Sequence, residues 1–274
     1  MRSFTVKAPD GLTLAAYECG NPDGPEILFI HGFNQAHLSW ARQFDDPALC
    51  AEFRMVAYDL RGHGASDKPD APECYTEDKR WADDVAAVIE TAGLKRPVLV
   101  PWSYGGRVVT DYARHYGLDK IAGINLVAAS TKDDPAYVGP GLGHAVAMMQ
   151  DDLAVSIAGT RAFLRTCFAR QPAQDDFEIM LAYNMAVPPR VRKALRSRTI
   201  NPGDMLPKLG LPVLVTHGAV DDVSLVARSH YSAETIPGAT LSIFENIGHS
   251  PFWEDAPRYN RELAAFVRKA NGGQ

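Results

Sequence analysis

Ser103 lies in the run Val98-Leu99-Val100-Pro101-Trp102-Ser103-Tyr104-Gly105-Gly106, between an apolar stretch and an amphipathic one. A serine hydroxyl holds its proton tightly. It attacks a carbonyl only when an imidazole takes that proton and a carboxylate orients the imidazole. A strand that turns sharply into a helix exposes such a hydroxyl above a sheet, and the acid and then the histidine follow it in chain order. Past Ser103, an apolar run at 213–216 leads into His217-Gly218-Ala219-Val220-Asp221-Asp222, which offers Asp221 or Asp222 as the acid. Beyond them stand His230 and His249. His230 falls inside a helical pattern at 225–234, whereas His249 follows the apolar run 241–244 in a glycine-led loop and is the expected base. The helix behind Ser103 aims its N-terminus at the reacting oxygen, so the amide of Tyr104 is one expected oxyanion donor. Losing one such donor costs about 3–4 kcal/mol.

These groups need a frame. Near-continuous apolar runs at 26–30, 53–58, 98–100, 124–128, 213–216 and 241–244 read as buried strands of a parallel sheet. Helical spacing marks 81–92 and 106–116 between them. Runs at 4–6 and 12–17, joined across Asp10-Gly11, read as an antiparallel hairpin at the sheet edge. The alternation predicts an α/β protein with a mostly parallel, doubly wound sheet. One interval, 131–208, holds helical patterns without a buried strand. Thr160 is the expected cap of one helix; Asp175-Asp176 open another, stopped by Pro188-Pro189. The interval is read as a helical cap over the strands' carboxyl ends, where open α/β sheets bind ligands. It leaves 1–130 and 209–274 as the core.

Five motifs then stand in order: H-G-F-N-Q at 31–35, D-L-R-G-H-G-A-S at 59–66, P-W-S-Y-G-G at 101–106, H-G-A-V-D at 217–221 and G-H-S-P-F-W-E at 248–254. Together they resemble the α/β-hydrolase fold family, in its serine-esterase form, over almost the entire chain. The resemblance implies that the Phe33 amide is the second oxyanion donor. It selects Asp221, three residues after Gly218, over Asp222, with Asp133 and Asp134 as the outlying alternatives. It also implies that the 62–66 loop is structural and that Trp102 lies near the substrate. Relatives carry glycine where this chain has Pro101. Proline lacks an amide hydrogen and fixes φ, so it is expected to end the strand and stiffen the turn.

Serine at 103, rather than a carboxylate, argues against epoxide-hydrolase or dehalogenase chemistry in this fold. The expected reaction is cleavage of a carboxylic ester or lactone through an acyl-enzyme. The alternatives are a cofactor-free haloperoxidase or perhydrolase, and a small-molecule receptor on the same scaffold. Asn34, Trp102, Tyr137, Met148 and Phe163 are the candidate pocket wall. The basic run from Arg190 to Arg198 reads as a solvated helix face, so the expected substrate is moderately apolar and uncharged.

The chain has 274 residues and a net charge of -5, a balance that points to neither nucleic acid nor an anionic membrane as partner. No histidine pair has metal-ligand spacing, and no cofactor is expected. Four scattered cysteines and an N-terminus without an apolar signal core fit a cytoplasmic protein. Oligomeric state is left open.

Overall fold

A computed structural model of the protein describes residues 1–199 and 202–272. Eight strands form one sheet: β1 (Arg2–Lys7), β2 (Thr13–Gly20), β3 (Glu26–Ile30), β4 (Arg54–Tyr58), β5 (Val98–Pro101), β6 (Gly123–Val127), β7 (Val213–Gly218) and β8 (Thr240–Phe244), in the order β1-β2-β4-β3-β5-β6-β7-β8. The first two pairings, β1–β2 and β2–β4, are antiparallel and the rest parallel. The hairpin closes where Asp10 Oδ1 accepts the Leu12 amide at 3.2 Å and Gly11 takes φ 85°. In chain order the longer helices are α1 (Asp78–Ala92), α2 (Gly105–Tyr116), α3 (Leu153–Thr166), α4 (Gln174–Met185), α5 (Pro189–Ser197), α6 (Ala227–Thr235) and α7 (Ala256–Ala270).

Successive side chains of a strand point to opposite faces, and β3 divides itself accordingly. Leu28 and Ile30 join the core roofed by Val85 and Val88 of α1 and Val108 and Tyr112 of α2. Ile27 and Phe29 join the core floored by Leu263, Phe266 and Val267 of α7. Both faces are therefore dry, which is why the central strands lack polar alternation. The chain leaves β3 for β4 on one side and returns to β5 on the other. That reversal opens a crevice at the carboxyl ends of the strands.

Pro101 is the last residue of β5. The amides flanking it show what it omits. Trp102 donates to Ile30 O of β3 at 2.9 Å, and Ser103 donates to Val127 O of β6 at 3.0 Å. Amides alternate sides, so residue 101 faces β6 and would have donated there. The β5–β6 ladder accordingly runs through Val98↔Gly123 and Leu99↔Ile124, lapses, and resumes as a single bridge at Trp102↔Val127. The proline costs one rung and leaves the turn in place.

Among the described residues, 131–208 holds helices and no strand. Two expectations for it fail. Thr160 does not cap a helix: α3 begins seven residues earlier, where Asp152 accepts the Val155 amide at 3.0 Å, and the Thr160 hydroxyl bonds back to Ser156 O at 2.8 Å. The basic run is not a solvated face either. Arg190 and Lys193 do point outward, to Asp70 and Asp151. Arg192 is fully buried, because α5 is short and its Val191, Ala194 and Leu195 pull that side into the core. No described helix is long and apolar enough to cross a membrane.

Candidate active site

Ser103 takes φ 51°, a left-handed conformation that a residue with a Cβ adopts only when its surroundings impose it. Here they do. Its amide is held by Val127 O, and its carbonyl accepts from Gly106 and Ser130 at 2.9 and 2.8 Å. The turn also needs Gly105, where a Cβ would sit 2.7 Å from Ile30 O. Ser103 is thereby lifted to the wall of a cavity of about 700 Å³, with Phe33 and Tyr104 beside it. Among the described residues, the amides of Phe33 and Tyr104 donate to no protein acceptor.

The loop bearing Phe33 is held from below by two neutral imidazoles. His63 Nδ1 bonds Arg61 O at 2.9 Å, so its Nε2 is the acceptor for the Asn34 amide at 3.2 Å. His31 repeats the pattern, with Nδ1 on Gly32 O and Nε2 accepting from the Leu60 amide. Burial pushes both imidazoles down, His31 to about 4 and His63 to about 3, which keeps them acceptors. The 62–66 loop thus props the Phe33 loop.

His249 comes from the loop after β8, and Asp221 from the loop after β7. His249 Nδ1 bonds Asp221 Oδ2 at 2.6 Å. The two loops meet because residue 218 is glycine: a Cβ there would lie 2.0 Å from Gly248 O. Trp102 connects this pair to the elbow, donating from Nε1 to His249 O at 2.9 Å with ring centroids 5.5 Å apart. No hydrogen bond joins the Ser103 hydroxyl to His249, and Nε2 of His249 has no partner among the described residues. Such contacts are commonly loose in a site without substrate. The Asp221 carboxyl is held well below the usual carboxylate range: burial works against ionisation, and His249, His217 and two amides outweigh it.

His217 escaped the sequence reading as a participant. Its Nε2 donates to Asp221 Oδ2 at 2.8 Å and to Ser224 O at 2.8 Å, while Nδ1 accepts from the Ser229 hydroxyl at 2.6 Å. The signal was present, a histidine closing β7 four residues before Asp221, but nothing in one sequence separates it from a plain core histidine. The competing acids are otherwise engaged, although Asp133 and Asp134 line the same cavity as Ser103. Asp133 pairs with Arg107, Asp134 caps a short turn at Ala136, and the Asp222 carbonyl, not its carboxylate, holds Gly141. His230 is exposed on α6.

None of the five expected wall residues borders the large cavity. Asn34 ties its loop to Asn184 of α4 at 2.8 Å, and Met148 is fully buried with its carbonyl on Arg192. Phe163 packs edge-on against Phe33, and Tyr137 packs on Tyr231. Trp102 borders a separate small hollow with Tyr183 and Phe252 instead. The cavity wall carries charge that the apolar reading missed: Arg107, Arg196, Arg198 and Arg228, with the carboxylates Asp133 and Asp134 among them. Arg198 pairs with buried Asp111, and Arg107 with Asp133. A second hollow of about 740 Å³, at the start of β7, contains none of the candidate site residues.

Comparison with known proteins follows the same lines. Residues 27–262 match the model of the Alpha/beta hydrolase family. A crystal structure from Burkholderia cenocepacia, provisionally assigned as an aryl esterase, superposes with TM-score 0.92 at 39% identity, covering 98% of this chain and 99% of its own. The esterase RhEst1 from Rhodococcus sp. ECU1013 gives TM-score 0.91 at 32% identity over 97% and 98% of the two chains. A Synechocystis protein provisionally assigned as a non-heme chloroperoxidase is 26% identical, over 98% of this chain and all of its own. The first curated relatives, from Mycobacterium, are 37% identical over 133 residues, which is 48% of this chain but only 22% of theirs.

Proposed function

The chain belongs to the alpha/beta hydrolase family, and from that premise we propose that it hydrolyses a small-molecule carboxylic ester or lactone through Ser103, His249 and Asp221. The observation that carries this reading is the 2.6 Å His249–Asp221 bond, set beside a Ser103 strained to φ 51° on a cavity wall with two unspent amides. In the proposed sequence, Ser103 Oγ attacks the ester carbonyl as its proton passes to His249 Nε2. Asp221 fixes the imidazole by its Nδ1 hydrogen and stabilises the imidazolium. The oxyanion is received by the amides of Phe33 and Tyr104. Collapse expels the alcohol, which takes the proton from His249. Water, deprotonated by the same nitrogen, then releases the acid and restores Ser103.

Residues 131–208 serve as the cap in this reading. The cavity supports it, since Gly139, Leu142 and Leu195 from that segment face Ser103 and Phe33 from the core. Turnover of p-nitrophenyl butyrate is the test. Ser103→Ala is expected to lower kcat by about 10⁴-fold or more, and an unchanged rate in that variant overturns the assignment. The Synechocystis relative favours a second reading, peracid formation from a carboxylic acid and hydrogen peroxide at the same serine. Acetate-dependent bromination that exceeds ester hydrolysis would make it the main activity.

A further inference from the structure

Arg228 is 6% exposed and borders the cavity, yet no carboxylate pairs with it. Its Nη1 donates to Ser224 Oγ at 2.8 Å, and its Nε is buried without a partner. The carboxylates nearest in the field are already committed, Asp221 to His249 and His217, Asp133 to Arg107. Burial, and with it repulsion from Arg107, lowers the pKa of the Arg228 guanidinium. Arg198, also on the wall and 4% exposed, spends Nη2 on Asp111 and keeps Nε and Nη1 unpartnered. Arg196 stands exposed at the cavity edge, with no ion pair or hydrogen bond among the described residues. Burying a cation without its counter-charge is costly. A protein that does so beside a cavity gains when an anion arrives.

We propose that the cavity selects esters bearing a second, anionic group, a carboxylate anchored on Arg228 with Arg196 drawing it in from the edge. The proposal rests on the ester-hydrolase reading of Ser103 and names its substrate class. A guanidinium presents paired N–H donors that match a carboxylate's two oxygens. Asp133 and Asp134 also line the cavity, but Asp133 pairs with Arg107 and Asp134 accepts the Ala136 amide, and neither forms an ion pair with Arg228.

The test compares monomethyl glutarate, with the carboxylate on the acyl side, and 4-acetoxybutanoate, with it on the alcohol side, against neutral methyl hexanoate and pentyl acetate. The wild type is expected to favour at least one anionic ester over its neutral counterpart by about tenfold or more in kcat/KM. Arg228→Gln should lower that ratio by roughly 10–100-fold, the loss expected when a charged hydrogen-bond donor is removed, while the neutral esters change less than about threefold. Arg228→Lys should recover part of the ratio, and Arg196→Gln should lower it mainly through KM and weaken its salt dependence. Equal preference for charged and neutral esters in the wild type overturns the proposal, as does an R228Q variant that slows both alike. Glutarate binding to the wild type and to R228Q, measured by calorimetry, keeps the two readings apart. If no ester is turned over, the hydrolase reading falls. Tenfold weaker glutarate binding in R228Q would still uphold the anion site, and equal or absent binding would remove it.

Discussion

His217 and His249 both bond Oδ2 of Asp221, but only His249 retains a nitrogen free for substrate. His217 is spent on both sides, so in the proposed reaction it would position the carboxylate. Replacing it with alanine removes one donor to a charged acceptor, an interaction worth roughly 1.5–3 kcal/mol. His217→Ala should therefore lower kcat by about 10–100-fold with KM nearly unchanged, and His217→Gln should recover part of the loss. Steady-state kinetics on p-nitrophenyl butyrate decide it, and an unaltered kcat would make His217 a packing residue. At this scale the sequence was legible where chain order and motif spacing constrain a residue, as for the placing of Asp221 and His249 side by side. It was silent on His217 and Arg228: each has a polar partner four residues away, Asp221 and Ser224, a spacing that does not separate such residues from ordinary packing.

The elements show why the strands were easier to read than the insertion. A strand buried on both faces is apolar throughout, and β3, β5 and β7 announced themselves that way. Even the Pro101 break had a physical reading, a missing rung on the β6 side. The insertion shares the apolar core through residues such as Phe163, Met180 and Leu195, but capping and buried polar contacts also hold it. Arg192 is the clearest case: it reaches Met148 O at 2.5 Å, Ser156 Oγ at 2.9 Å and Asn184 O at 2.9 Å, tying α3 and α4 to α5. Its charge has no carboxylate, and burial lowers its pKa to about 10. Helical periodicity reads such an arginine as solvated. Arg192→Ala should cost about 3–4 kcal/mol by leaving a void and orphaned acceptors. Arg192→Met, which fills the volume without a buried cation, should cost about half that or less. Urea denaturation of the two variants distinguishes them, and equal losses would mean that the hydrogen bonds, not the packing, hold the insertion together.

Over the whole molecule, the imidazoles of His31 and His63 make stability depend on pH. Each is fully buried and must stay neutral to accept a backbone amide. For His63 the folded pKa is about 3, against about 6.5 in an unfolded chain. The unfolded state thus binds more protons between those values, and the contribution is complete above about pH 6.5 and lost as pH falls. Asp84 and Asp111, which burial pushes up to about 6, work in the opposite direction over the same range. A comparison with His63→Gln isolates the imidazole. Between pH 7 and pH 5, wild type should lose about 2 kcal/mol relative to that variant. A difference that stays constant with pH would show that His63 is not held neutral.

The nucleophilic role of Ser103 is tested most directly by intact-mass and peptide-mass analysis after brief reaction with a fluorophosphonate. One phosphonyl adduct per chain is expected, on the peptide carrying Ser103, absent from Ser103→Ala and much slower to form in His249→Ala. An adduct on another residue, or none on an enzyme that still turns over p-nitrophenyl butyrate, would contradict it.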